Sequence, residues 1–545
     1  MALNKLRRAS STSHVKLAGS KRNIHPQGLP AGPVDPEEIA NLTVRLRSCA
    51  GPGQLSKRVQ EIYALPLHQR KYMSRKELAE QYGSVDEELD AVERFANAHN
   101  LTVGVRSAAH RTLVLRGRLG DLLDAFPADV QMFRHSGMTC RGRQGHIRIP
   151  KELNKIITGI FGYDTRPRHR RTVGTVPLNG PGDFRGRPAT YFADRYRFPK
   201  QHRGVELDGS GQCIGIIDLG GGINRKDLEI YFRSLGMDPP DVSVVAVDHG
   251  GSHASQDDFA DSEVMLDIEV AGTVTPKAKL AIYSTATPEG HALYNAVNAA
   301  VHDAERNPSV ISISWGEPEE YLEPQERMAF HEVFLEAAAL GVTICVASGD
   351  NGTANLRFPD WDGRIHVDHP AADDYVLACG GTQIESRDRE VVWNDGTPFS
   401  FAPGGGGWAS GGGVSQTVAL PEYQKKAGVP RSLATNKPGR GVPDIAMSAN
   451  NYYTRIRGKD GAFGGTSAVT PLMAGLVARL NQAKGKNVGW LNPFLYGNAH
   501  RGITRDITSG TNAIVNTVKG YSAKKGWNAC CGLGTPLGTR ILKTL

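Results

Sequence analysis

From residue 213 onward, short unbroken apolar runs alternate with longer segments of helical periodicity, and this alternation limits the possible fold more than any other feature of the chain. The runs at 213–219 (CIGIIDL), 242–247, 280–283, 310–314 and 342–347 lack the in–out alternation of a half-exposed strand. Between them, 262–271, 291–303 and 328–340 have helical spacing. Strands buried on both faces and joined by helices form a parallel sheet covered by helical layers. Residues 191–545 are therefore read as an α/β domain with a mostly parallel central sheet flanked by helices. In such sheets reactive groups collect beyond the carboxyl ends of the strands. Asp218, Trp315 and Asp350 fall at or just after such ends.

The first part of the chain differs in charge. Residues 1–200 hold 34 Lys+Arg against 18 Asp+Glu, and the remaining residues hold 30 against 38. Two readings stay open: a basic nucleic-acid-binding segment beside an unrelated domain, or two parts of one chain that attract each other. Residues 1–35 are polar and basic, and are expected to be a disordered tail. Residues 36–165 form a small α+β module. In it, 42–46 and 112–115 alternate like strands, 85–98 is a helix with an acidic first turn, and 153–161 reads as a further helix. No candidate catalytic cluster lies there. Residues 166–190 are rich in Arg, Gly and Pro without periodicity, as expected of an exposed, easily cut linker. With 39% apolar residues the chain can bury a large core. No 18-residue apolar window and no apolar signal-peptide core is present. The seven cysteines are irregularly spaced, and the adjacent Cys530 and Cys531 suit neither a zinc pair nor a redox motif.

The strongest local chemical signal is GGTSAVTP at 464–471, followed by an apolar helix. Ser467 then sits near a helix N-terminus, where exposed amides hold an oxyanion and glycines admit a substrate backbone. A bare N-cap is the bland reading of one such serine. A serine nucleophile needs a base, and none of the 17 histidines lies in an HGTH-like segment. Instead SEVMLDIE at 262–269 sets Glu263 and Asp267 four apart, on one helix face, with Glu269 on another. A solvated acidic face is the usual meaning of that spacing. The apolar neighbours Val264, Met265, Leu266 and Ile268 favour burial, where paired acids share protons and one becomes a base. Asp350 lies in a glycine loop (GDNG) after the strand at 342–347. A turn residue is the common reading, and a protonated acid that donates to an oxyanion is the sharper one.

In sum, GGTSAVTP, the SEVMLD helix, SISWG at 312–316, ASGDNG at 347–352, HPAADDYVLACGGT at 369–382 and SGGGVSQ at 410–416 resemble, in order, the sedolisin family of serine-carboxyl peptidases, and most of all its kumamolisin branch. The resemblance covers nearly the whole chain. It implies a subtilisin-like catalytic domain over 191–545, a propeptide over 36–165, self-processing in the linker and endopeptidase activity at acid pH. By position it implies Ser467 as nucleophile, Glu263 as general base, Asp267 as the acid that orients it and Asp350 as the oxyanion residue. Asp218 stands where the branch extends its acid network with a Glu, one methylene longer. Trp315 is expected beside this network as a wall of the cleft, and Asp368 at the pocket for a substrate side chain.

The family also binds one calcium ion near the C-terminus. The implied ligands are Asp506, Ile507, Lys524, Gly526 and Asn528, with Asn528 in place of an Asp and Lys524 in place of a Gly. A weakened calcium site is expected, the alternative being an ion-free, hydrogen-bonded loop. The implied partners are polypeptide substrates and the chain's own propeptide, which the charge asymmetry would dock at neutral pH and release on acidification. No nucleic acid, no membrane and a monomeric state are expected, and family logic favours secretion although no signal is recognisable. The nearest rival is an ordinary subtilase in which Asp218 pairs with His249 or His253 and Ser467. A non-catalytic binding protein on the same fold is a further alternative.

Overall fold

The computed structural model describes the chain except for residues 1–12, 23–27, 136–137, 167–169, 172–173, 176–185, 249, 252–257, 289, 357–360, 398–406 and 516–517. The larger part is built on an eight-stranded sheet. Its order runs Asp241–Ala246, Lys279–Thr285, Cys213–Leu219, Val310–Ile313, Thr343–Ala347, Leu377–Ile384, with Glu390–Val392 and Ile445–Ser448 both paired to Leu377–Ile384. All these pairings are parallel except that of Glu390–Val392. Strand Cys213–Leu219 is buried at every residue, as its unbroken apolar run requires.

The two faces of the sheet carry different helices. Ile214 and Ile216 pack in the cluster that holds Asp258–Val274 and Thr466–Lys484, whereas Cys213, Ile217 and Leu219 pack in the cluster that holds Ala292–His302 and Pro324–Leu340. Because side chains alternate with a period of two, Asp218 falls on the first face. The same parity sends Ser284 there after Leu280 and Ile282, and Ser314 there opposite to Ile311 and Ile313. Three polar side chains are thereby delivered to one face of adjacent strand ends. Helices Asp258–Val274 and Thr466–Lys484 pack directly on one another. Gly475 makes the close crossing possible: a Cβ there would lie 2.3 Å from Val274 Cγ2.

The N-terminal part is a separate small core. Thr102–Ser107, Thr112–Arg118, Ile39–Leu46 and Ile157–Phe161 form an antiparallel sheet, with helices Asp86–Asn97 and Leu119–Ala125 packed into the same cluster. Two expectations are corrected here. The run 153–161 ends in a strand, not a helix. Its apolar residues have helical spacing, but the β-branched Ile157, Thr158 and Ile160 complete the sheet against Thr43–Leu46. Parts of the expected disordered tail are also ordered: His14–Lys16 pairs with Arg148–Pro150, and Leu29–Gly32 pairs with Asp129–His135. Backbone pairing supplies there what composition did not announce.

The two parts share a buried, oppositely charged contact. Helix Gln54–Ala64 and strand Ile157–Phe161 pack on Pro324–Leu340, and Val59, Met73, Leu78 and Phe161 join the larger domain's apolar cluster. Arg45 Nη2 and Arg111 Nη1 meet Glu332 at 2.8 and 2.9 Å, and Arg111 Nη2 also pairs with Glu336. Arg22 and Arg143 meet Glu323 at 3.0 and 2.5 Å. In each of these pairs the cation comes from the N-terminal part and the carboxylate from helix Pro324–Leu340 or its N-cap. Part of the charge asymmetry of the sequence thus meets on one helix. Glu336→Gln, which leaves Arg111 buried with a weaker partner, is expected to cost about 3 kcal/mol of full-chain stability in urea unfolding of a Ser467→Ala background. A change below about 0.5 kcal/mol would show that this contact does not hold the two parts together.

Candidate active site

Ser467 is the second residue of helix Thr466–Lys484 and is fully buried. Gly465 precedes the helix at φ 122°, a conformation that strains any side chain. The preceding residue's neighbour in space is the Gly349-Asp350 loop at the end of strand Thr343–Ala347. Thr466 donates to Asp350 Oδ1 twice, from its backbone N at 2.7 Å and its Oγ1 at 2.8 Å. Thr466 Oγ1 in turn accepts from Gly349 N at 3.2 Å. Asp350 is therefore tied to the residue next to Ser467, at the positive end of the helix.

Glu263 and Asp267 lie on helix Asp258–Val274, which crosses the Ser467 helix, and are 1% and 0% exposed. The solvated acidic face that their spacing commonly means is not what the chain builds. Ser314 Oγ donates to both carboxylate oxygens of Asp267 at 3.1 Å. Burial pushes Asp267 well above the usual carboxylate range, and the neighbouring Asp218 raises it further. Asp218 accepts from Ser284 Oγ at 2.6 Å and from Gly221 N at 2.9 Å. Burial outweighs these donors and pushes Asp218 up to about 7. An interior carboxyl keeps its proton because the charged form has lost its water. Glu269, on another face, is equally buried and also raised by burial, and its carboxylate accepts from Arg455 N at 3.1 and 3.2 Å.

The other candidates fall as follows. Trp315 is fully buried within the core, and its Nε1 donates to Ile217 O at 3.1 Å, next to Asp218. The expectation of a cleft wall is corrected: the ring packs with Ile217 and Leu219 on the sheet face opposite the Ser467 helix, where it braces the strand end that carries Asp218, and only the Trp315 backbone faces the linker, pairing with Arg171. Asp368, 5% exposed, lies on the short strand Asp368–His369 paired with Trp315–Pro318. A Cβ at Gly349 would stand 2.6 Å from Asp368 Oδ2, so this carboxylate borders the Asp350 loop. His249 and His253, the bases of the rival reading, lie outside the described residues. Ser284, Ser314 and Thr466 were not singled out by sequence. Only the strand parity at 284 and 314 could have signalled the first two.

Two short strands of the linker lie against the edges beside this site. Arg170–Arg171 pairs antiparallel with Gly316 and Trp315, and Gly174–Thr175 pairs antiparallel with Gly464 and Phe463. The second edge leads directly into Gly465 and Ser467.

The implied calcium ligands are also brought together. Their centre, however, is a nitrogen. Asn528 Nδ2 donates toward Lys524 O at 3.1 Å, Ile507 O at 3.3 Å and Gly526 O at 3.4 Å, while Gly526 N donates to Asp506 Oδ1 at 3.3 Å. Elsewhere among the described residues, His331, Asp373 and Asp374 offer ligand atoms within 4.8 Å of one another. His331 Nδ1 already meets Asp373 at 3.0 Å, and its pKa, lowered by burial alone, is raised to about 9 by the carboxylates, so the group is an ion pair.

Comparison with known proteins agrees with this architecture. Residues 27–166 match the Pro-kumamolisin activation domain, and residues 242–534 match the subtilase family. Kumamolisin of Bacillus sp. (strain MN-32) is 41% identical over 97% of this chain and 96% of its own length. Sedolisin of Pseudomonas sp. (strain 101) is 25% identical over 85% of this chain and 80% of its own. The solved structure of Pseudomonas sedolisin complexed with two molecules of pseudo-iodotyrostatin superposes with TM-score 0.56 at 27% identity, covering 66% of this chain and 98% of that one. The chain belongs to the sedolisin family of serine-carboxyl peptidases, with a kumamolisin-type activation domain ahead of a subtilase-like peptidase domain.

Proposed function

We propose that the chain is an acid-active serine-carboxyl endopeptidase made as a self-processing zymogen. The observation that supports this reading is that Glu263 and Asp267 are buried on the helix that packs on the Ser467 helix, with Asp218 near enough to Asp267 to raise it. In the first step Ser467 Oγ bonds to the peptide carbonyl carbon while Glu263 takes the hydroxyl proton. The carbonyl oxygen becomes an oxyanion. Asp350 Oδ1 already accepts two hydrogen bonds from Thr466, so the proton that this acid donates to the oxyanion sits on Oδ2. The C–N bond then breaks as Glu263 returns its proton to the leaving amine. Water repeats the sequence on the acyl-enzyme. Asp267, one turn along the same helix face and raised by burial, is the acid assigned to hold the charge and orientation of the Glu263 carboxylate.

Low pH serves both roles. A carboxylate is a weak base suited to acid media, and Asp350 must hold a proton to donate. Ser467→Ala and Glu263→Gln are each expected to lower casein hydrolysis at about pH 4 by more than 10²-fold. Near-normal activity of Glu263→Gln would reject the carboxylate base.

The linker pairings favour an endopeptidase. An internal segment lies along both edges of the site, as a substrate chain would, with pairing on either side of the reacting bond. The first self-cleavage is therefore assigned between Arg171 and Gly174. N-terminal sequencing after acid incubation should find a new terminus within 172–174 in the wild type and none in Ser467→Ala. A first new terminus anywhere outside 172–174 would refute the assignment.

Acid also loosens the docked propeptide. His110 of the propeptide lies 4.9 Å, ring to ring, from His302. Burial, then His302, depress His110 to about 4, against the favourable charges of Glu336 and Asp303. Docking thus keeps its full strength above the released value of about 6.5, and loses up to about 3 kcal/mol as pH falls toward 4. Burial alone would raise Glu336, but Arg111, His302 and Arg45 together hold it near about 2. Its contribution is full above about 4.5 and fades only below that. The histidine therefore acts first. His110→Gln, which never takes the proton, is expected to shift the activation midpoint to lower pH while leaving the mature enzyme unchanged. An unmoved midpoint would remove His110 from the account.

A further inference from the structure

Calcium coordination requires six to eight oxygen atoms at about 2.3–2.6 Å around a shared centre. In the loop formed by Asp506-Ile507 and 524–528, the carbonyls of Ile507, Lys524 and Gly526 do converge, but each lies 3.1–3.4 Å from Asn528 Nδ2. The amide cannot simply be turned over. Asn528 Oδ1 accepts from Cys530 N at 3.2 Å and Cys531 N at 3.1 Å. Reversal would set the NH₂ group against those two donors and the oxygen against three carbonyls. The side chain is 2% exposed, and its backbone exchanges hydrogen bonds with Gly532 in both directions, at 3.0 and 2.8 Å. Its neighbour Trp527 is anchored by Nε1 donating to Pro443 O at 3.1 Å.

The charge around the loop points the same way. Asp506 is its one carboxylate, and its Oδ1 accepts from Gly526 N, while Lys524 and Lys525 add two ammonium groups. Donors occupy the positions where a cation would need acceptors.

We propose that the Asn528 side-chain amide replaces the family's calcium ion, gathering the same carbonyls by hydrogen bonds, so that this chain folds and keeps its C-terminal loop independently of calcium. The residues present do not fit the ion, because a hard divalent cation and an inward N–H donor exclude each other. The effect is structural, and its test does not depend on whether the peptidase assignments are right.

The test is calcium binding and thermal unfolding of the full-length chain at neutral pH, by isothermal titration with CaCl₂ and by melting in calcium or in chelator. The wild type should bind no stoichiometric ion, and its melting temperature should agree within about 1 °C in the two conditions. One bound ion per chain, or a chelator-induced drop of about 5 °C or more, would overturn the proposal. Asn528→Asp supplies the inward oxygen and charge, and should gain both calcium binding and a calcium-dependent rise in melting temperature. An Asn528→Asp chain that folds and still ignores calcium would show that this side chain is not what excludes the ion. Should that variant fold in neither condition, the wild-type titration still decides.

Discussion

A carboxyl group stripped of water holds on to its proton, and the catalytic half of this molecule is arranged around that fact. The cost of burying charge falls on Asp218, Asp267 and Glu269, each raised chiefly by burial. Only a few fixed donors relieve it: Ser284 and Gly221 for Asp218, Ser314 for Asp267, Arg455 N for Glu269. A surface pair of acids four residues apart would ionise independently and achieve little. Here the pair is buried, on a helix that packs against the helix carrying Ser467.

The sheet delivers this arrangement. Parity along Cys213–Leu219, Lys279–Thr285 and Val310–Ile313 turns Asp218, Ser284 and, one residue past the third strand, Ser314 toward the same helical layer. Unbroken apolar runs made those strands legible in the sequence, and a period of 3.6 made the helices legible. GGTSAVTP and SEVMLD drew attention to Ser467, Glu263 and Asp267, but spacing alone left an N-cap and a solvated face open, and the family resemblance supplied their expected roles. Ser284, Ser314 and Thr466 were not legible, since each matters only through a partner more than 40 residues away. The strand Ile157–Phe161 was misread for a related reason: its apolar residues fit a helical period locally, and the sheet edge of Ile39–Leu46 overrides that preference.

Charge plays a different part at the boundary between propeptide and peptidase domain. There Arg45, Arg111, Arg22 and Arg143 meet the carboxylates of one helix in a mostly dry contact. Arg45 and Arg111 hold Glu332 and Glu336 below the usual carboxylate range despite burial, so these two pairs keep their charge into acid. Burial, and then His302, lower His110 at this boundary, which is why the proposed acid release is assigned to it. In the C-terminal loop the Asn528 amide points at three carbonyls, which is the basis for proposing that it stands in for an ion.

The central claim is that a carboxyl side chain, and not an imidazole, activates the hydroxyl of residue 467. The most direct test is the pH dependence of kcat/KM for the processed enzyme on a peptide whose own ionisation does not change over the range. A carboxyl base with a protonated oxyanion acid predicts a maximum in acid and a steep decline as pH rises past about 6. A profile that climbs through about pH 7 to an alkaline plateau would belong to a histidine base and would contradict the account.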